Sequence, residues 1–264
     1  MVRRLLIAIV LIYMGILILA PLAAIVQGAF SRGLAPVIDT LRDADVIHAF
    51  WITLVLCATA LLVNTVFGII TAWVLVRDRF PGRRFINGLV DLPLVVSPVI
   101  AGYMIILLFG RQGWFAPLLN TLNFKVVFAL PGMLMATIFV SLPFVIREVM
   151  PVLEAVGTEQ ESAAHTLGAT GWQTFWRVTL PSIRWGVAYG VMLSLARTLG
   201  EFGAVLVVSG AVSGLTETAT IYIFRALDER QYVSAYTVSL ILAGVSFIML
   251  LGMEWFRGRT EHGR

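Results

Sequence analysis

Charge is scarce in this 264-residue sequence: Asp, Glu, Lys and Arg together make up 13% of it, about half the share usual in soluble domains. With 59% of residues hydrophobic, a water-facing globule of this length could not hide its apolar side chains. Cysteine occurs once, at Cys57 within an apolar run. No internal disulfide can form, and no Cys/His spacing suggests a metal site. His48, His165 and His262 are scattered and read as ordinary loop residues. The phosphate-cradling Gly-x-x-x-x-Gly-Lys-Ser/Thr pattern is missing, as is the ten-residue alternation of a membrane barrel. Disorder, a disulfide scaffold and ordinary nucleic-acid binding are excluded, and in lipid the backbone must be satisfied by helices.

What is abundant is uncharged apolar length. Crossing ~30 Å of hydrocarbon takes about 20 helical residues. Leu5–Ser31, Ala49–Val76, Leu92–Gly110, Val126–Ile146 and Gln231–Met253 qualify directly, and Trp185–Thr216 is apolar apart from Arg197 and Glu201. The sequence therefore predicts an all-α, polytopic membrane protein with six transmembrane helices. Arg3 and Arg4 ahead of an apolar stretch imitate a secretory signal. The apolar core runs unbroken from Leu5 to Val26, longer than the ~7–15 residues of a cleaved signal, which predicts a retained helix.

Basic loop residues set orientation. Arg3, Arg4, Arg77, Arg79, Arg83, Arg84, Arg147, Arg177, Arg184, Arg257, Arg259 and Arg264 fall on one side; Arg32, Arg42, Arg111, Lys125, Arg225 and Arg230 fall on the other. Both termini are expected in the cytoplasm. The net charge of +4 thus reads as topology, not as a nucleic-acid footprint.

The expected cytoplasmic loop from Arg147 to Arg184 has the makings of short helices. Pro151 should interrupt the outgoing helix. Thr158 and Glu161 form a Thr-x-x-Glu capping-box pattern, Gly168 suits a helix stop and Gly171 permits a second break. An aromatic turn through Trp172, Phe175 and Trp176 leads to Leu180-Pro181, with Pro181 in the first turn of helix five. Two readings stay open: an interfacial hairpin on lipid headgroups, or a stiff knob for another protein.

The run Ser162-Ala163-Ala164-x3-Gly168-x9-Val178-x-Leu180-Pro181 resembles the Glu-Ala-Ala…Gly…Ile-x-Leu-Pro loop of binding-protein-dependent ABC importer permeases. Ser162 stands for the motif glutamate, with Glu161 one residue earlier, and Val178 for the isoleucine. The resemblance implies the type-1 permease fold from about residue 48 to 255, after an N-terminal helix and extracytoplasmic loop (1–47) and before a cytoplasmic tail (256–264). It also implies an ATPase-coupling helix at Glu161, Ser162, Ala163, Ala164 and Gly168, with Leu180 and Pro181 closing the motif. Implied partners are a dimer of ABC ATPase subunits, a second permease subunit that is a distinct homologue, and an extracytoplasmic sulfate-binding protein, besides membrane lipid. ATP and Mg would sit on the ATPase. The chain itself is expected to be non-catalytic and to bind no cofactor or metal.

Arg197 and Glu201 are four residues apart and are expected to pair on one helical face. Ser194, Thr198, Gly200 and Gly203 surround them, and the two glycines allow close helix approach or local unwinding. The group reads either as a neutralised pair that fastens helix five or as part of an anion route. The stretch Arg-Thr-Leu-Gly-Glu-Phe-Gly-Ala-Val from 197 to 205 resembles sulfate/thiosulfate permeases, in their CysW-type branch, in a bacterial cytoplasmic (inner) membrane. Molybdate/tungstate permeases share a similar segment and remain an alternative. A secondary transporter would be expected to show repeats, and an intramembrane enzyme would need paired catalytic groups at depth. Glu201 is the only carboxylate in the six stretches.

Overall fold

In the computed structural model, which describes the backbone of residues 2–261 and the side chains of residues 3–254, helix is the only regular structure among the described residues. His262 and Arg264 lie outside the described residues, and the side chains of Arg257 and Arg259 lie outside the described ones. The order is α1 (Val2–Phe30), α2 (Ala35–Arg42), α3 (Ala44–Arg77), α4 (Arg83–Val95), α5 (Pro98–Phe109), α6 (Ala116–Thr121), α7 (Leu130–Val156), α8 (Glu159–Thr166) and α9 (Gly171–Thr174). A π-helical turn (Phe175–Thr179), α10 (Leu180–Leu199), α11 (Gly203–Ser209), α12 (Ala219–Asp228) and α13 (Tyr232–Glu261) follow.

Four helices, α1, α3, α7 and α13, are each long and apolar enough to cross a membrane. The third and fifth expected spans are broken. α4 and α5 meet at 112°, and the helix running through α10 meets α11 at 55°, so six spans result when each bent pair counts as one. Proline explains the first bend. It excludes the helical region for the residue before it, and Ser97 is extended at φ −57°, ψ 136°. At 1.5 Å per residue, the 12 residues of α5 reach only about 18 Å.

Local expectations also need correction. Pro151 does not interrupt the helix leaving the membrane, because α7 runs through both Pro143 and Pro151 to Val156. The aromatic turn is helix: α9, the π turn and α10 form one rod from Gly171 to Leu199. Pro181 stands just after the π turn. It has no N–H for the usual i→i−4 bond, and the Leu180 N–H closes the wider ring onto the Phe175 carbonyl.

The chain divides into two compact units. In the first, Met1–Ile52 with Ser213–Val245, Val46, Ala49, Tyr222, Ala226, Ala235 and Val238 form a core between α3, α12 and α13. Arg225 holds it together electrically. Its guanidinium grips Glu217 with both arms (Nε–Oε1 2.7 Å, Nη2–Oε2 3.1 Å), and Glu229 and Asp45 stand nearby. Glu217 is only 1% exposed, so Glu201 is not the only deeply buried carboxylate. Glu217 first, and Glu229 after it, push the Arg225 pKa up, against its burial.

The second unit is Thr53–Val212 with Ser246–Arg264. Its larger core joins Ala72, Leu75, Val145, Val149, Leu153 and Ile183, and a second core joins Ala101, Ile105, Ala136, Val140, Ala204 and Val208. Close helix approach depends on small residues. A Cβ at Gly190 would lie 2.9 Å from Val145 Cα, and one at Gly102 would lie 2.6 Å from the Ala204 carbonyl oxygen. Gly186, Gly190, Ser194 and Thr198, spaced by four, are the buried small stripe of α10.

Candidate functional site

The α8 loop is held from below by one arginine. Arg77, the last residue of α3, donates from Nη1 to the Leu153 carbonyl (3.2 Å) and from Nη2 to the Gly157 carbonyl (2.6 Å). It thereby caps the C-terminal carbonyls of α7, where a cation also suits the helix dipole. The same guanidinium pairs with Glu161 of α8, Nε to Oε2 at 3.1 Å and Nη2 to Oε1 at 3.2 Å. The Thr179 hydroxyl, from the π turn, donates to Glu161 Oε1 at 2.9 Å. Three chain segments thus converge on one carboxylate.

This arrangement overturns the expected capping box. The side chain of Thr158 makes no cap hydrogen bond, its backbone (φ −113°, ψ 0°) lying outside the extended region usual at an N-cap, and the Glu161 carboxylate faces Arg77 instead of its own helix start. A capping box does form twelve residues later, between Thr170 and Gln173. Gly168 stops α8 with φ +85°, a conformation that glycine adopts without strain.

The outward face of the loop is open. Ser162 and Ala163 are exposed, Ala164 is half-buried, and Leu167 is 88% exposed. Ala163, Ala164, Leu167, Val178, Pro181 and Arg184 line one shallow recess of about 630 Å³. The fold therefore brings together the two halves of the motif, and Leu180 packs against the larger core. The aromatic residues divide. Phe175 stacks beside Trp73 of α3 (5.3 Å between rings), while Trp172 and Trp176 stay exposed. A small, well-anchored helix with an apolar recess fits a partner's surface.

The second group lies at the break between α10 and α11. Arg197 Nη1 and Glu201 Oε2 are 2.6 Å apart. They do not share one helix, because α10 ends at Leu199 and Glu201 occupies the linker. The Ala204 N–H donates to Glu201 Oε1 at 2.9 Å, so this carboxylate also caps α11. Thr198 is buried and its hydroxyl donates to the Leu195 carbonyl. Ser194 is buried as well, and its hydroxyl has no hydrogen-bond partner among the described residues. Gly203 lets α11 approach Pro98 and Val99, at 3.3 Å from an added Cβ, while Gly200 is open. At its far end α11 accepts the Phe128 N–H on the Val208 carbonyl (2.8 Å).

The profile of the family described as "Binding-protein-dependent transport system inner membrane component" matches residues 64–262. The chain belongs to this family. It is a permease subunit of an ABC importer. A relative named "Sulfate transport system permease protein CysW", from Synechococcus elongatus, is 48% identical over 97% of this chain and 89% of the relative. One named "Sulfate transport system permease protein CysT", from Escherichia coli, is 36% identical over 94% and 90%. The fold is that of a solved bacterial alginate ABC transporter in complex with an alginate pentasaccharide-bound periplasmic protein. That match has a TM-score of 0.80 at 20% identity and covers 98% of this chain and 94% of the other.

Sequence reasoning missed Arg77 in this permease, counting it only as a topology charge. It missed Arg147 in the same way. That guanidinium binds Asp91 through two bonds (2.7 and 2.6 Å) and Asn87 through two more (3.0 and 2.9 Å), fastening α4 to α7. The available signal was Asn87 and Asp91 at a spacing of four, one polar face of an amphipathic helix. Asn64 was also missed; it is fully buried and donates to Ser141 Oγ (2.7 Å) and the Ile138 carbonyl (3.2 Å), just ahead of Pro143.

Proposed function

We propose that this permease carries sulfate or thiosulfate across a bacterial cytoplasmic membrane, with both termini cytoplasmic. The observation that carries the reading is the 48% identity, over nearly the whole chain, to a relative named for sulfate transport. Pairing with a distinct second permease is favoured because the relatives bear two different permease names. An extracytoplasmic sulfate-binding protein delivers the anion. Two ATPase subunits bind ATP and Mg, one docking in the recess around Ala163, Ala164 and Pro181, and the permease itself catalyses nothing.

The geometry supports a mechanical role for the loop. A push on α8 reaches α3 and α7 through Arg77 and reaches the α9–α10 rod through Thr179. The rod ends at the Gly200 break, beyond which α11 leans on α5 and α7. Rigid segments joined at a break suit a bistable transition. Arg197, neutralised by Glu201, serves packing before it serves the anion.

Uptake of labelled sulfate by cells with the complete transporter, in competition with unlabelled thiosulfate, molybdate and tungstate, tests the substrate. Inhibition by thiosulfate at concentrations similar to sulfate is expected. Strong inhibition by molybdate at concentrations where unlabelled sulfate fails to compete would overturn the assignment.

A further inference from the structure

The turn between α3 and α4 opens into a cavity of about 720 Å³ that no part of the transport mechanism uses. Arg79, Arg83 and Arg84 stand in its wall together with Phe80, Phe85 and Met150. Glu154 is the single acid in the wall, and none of the three arginines forms an ion pair among the described residues. A cavity walled by both cationic and apolar side chains suits a ligand with an anionic head and a hydrocarbon body.

The placement of α4 narrows the ligand further. α4 turns 112° away from α5, and its two faces differ. Asn87 and Asp91 are bonded inward to Arg147, whereas Phe85, Ile86, Leu89 and Leu92 are exposed, Phe85 at 70%. A helix with one polar and one apolar face suits a membrane interface, its apolar side in the acyl boundary. Its arginines then stand at headgroup level, where basic pockets hold phosphate groups.

We infer that this cavity binds an anionic phospholipid: the phosphate between Arg79, Arg83 and Arg84, an acyl chain along Phe80, Phe85 and Met150. The lipid lies two residues from Arg77, at the end of the helices that carries α8. Phosphate chemistry could equally come from free phosphate, and the two sources separate experimentally.

The test measures retention of labelled phosphatidylglycerol by the purified complete transporter, with and without millimolar inorganic phosphate. Each basic group near an anionic lipid surface contributes about fivefold. The variant R79Q/R83Q/R84Q should therefore lose lipid tenfold or more, while R79K/R83K/R84K, which keeps the charges and reports on folding, stays within about threefold of wild type. Phe85→Ser should weaken lipid retention several-fold without changing any effect of phosphate. Equal retention by wild type and the glutamine variant overturns the proposal, as does an equal loss in the lysine variant. Full displacement by inorganic phosphate with no effect of Phe85→Ser would show a free-anion site instead.

Discussion

Two arginine–glutamate pairs in the second unit look alike as contacts and differ in what they join. Arg77 and Glu161 are 84 residues apart, and the guanidinium also caps two α7 carbonyls. Arg197 and Glu201 are four apart, and the carboxylate also caps the helix that follows it. The first pair is a joint that ties α8 to the ends of α3 and α7 at once. The second splices a break whose flanking helices are already held by tight contacts, at Gly102 against Ala204 and at Phe128 N–H on the Val208 carbonyl. A long-range pair therefore carries mechanical load, whereas a local pair mainly neutralises itself.

That contrast breaks first at Arg77. Arg77→Ala strips Glu161 of its counter-charge and leaves two carbonyls uncapped, a loss of about 3 kcal/mol for a nearly buried pair. We expect a lowered thermal midpoint of the purified permease, faster amide exchange across residues 157–168, and reduced co-purification of the ATPase. Arg77→Lys should recover less than half of the loss, because a point charge cannot replace the fixed fork that reaches two carbonyls and a carboxylate. Unchanged exchange in α8 would remove the joint.

Glu201→Gln should do less. The amide oxygen still accepts the Ala204 N–H, so what is lost is only the charge opposite Arg197. Stability measured in detergent should fall while amide exchange in α8 stays unchanged. Transport lost with no change in stability would move Arg197 from packing to the anion path.

The same contrast describes what could be read without coordinates. Apolar length disclosed the spans, and the motif disclosed the α8 region, because both are local properties of the chain. The Arg197–Glu201 pair was legible from its spacing, and Gly200 allowed for the break between the two residues. Arg77 and Arg147 were invisible as partners, since a basic residue at the end of a span has a sufficient topological reason to be there. Ser97-Pro98 accounts for the bend between α4 and α5, whereas the Arg147 contact that fastens α4 to α7 reaches over 56 residues. Distance along the chain, more than residue type, decided what could be foreseen.

The smallest effect separates two threonines that look equally fit for capping. Thr158 precedes α8 with Glu161 in the matching position, yet its side chain caps nothing. Thr170 precedes α9, accepts the Gln173 N–H at 3.3 Å, and has its own N–H bonded to Gln173 Oε1 at 2.9 Å. Removing a working N-cap costs about 1 kcal/mol, and removing an idle hydroxyl on an exposed surface costs about nothing. Thr170→Ala should therefore lower the unfolding midpoint measurably, and Thr158→Ala should leave it where it is. The reverse order would mean that Glu161 turns back to its own helix start, and that the grip of Arg77 on α8 is weaker than its geometry implies.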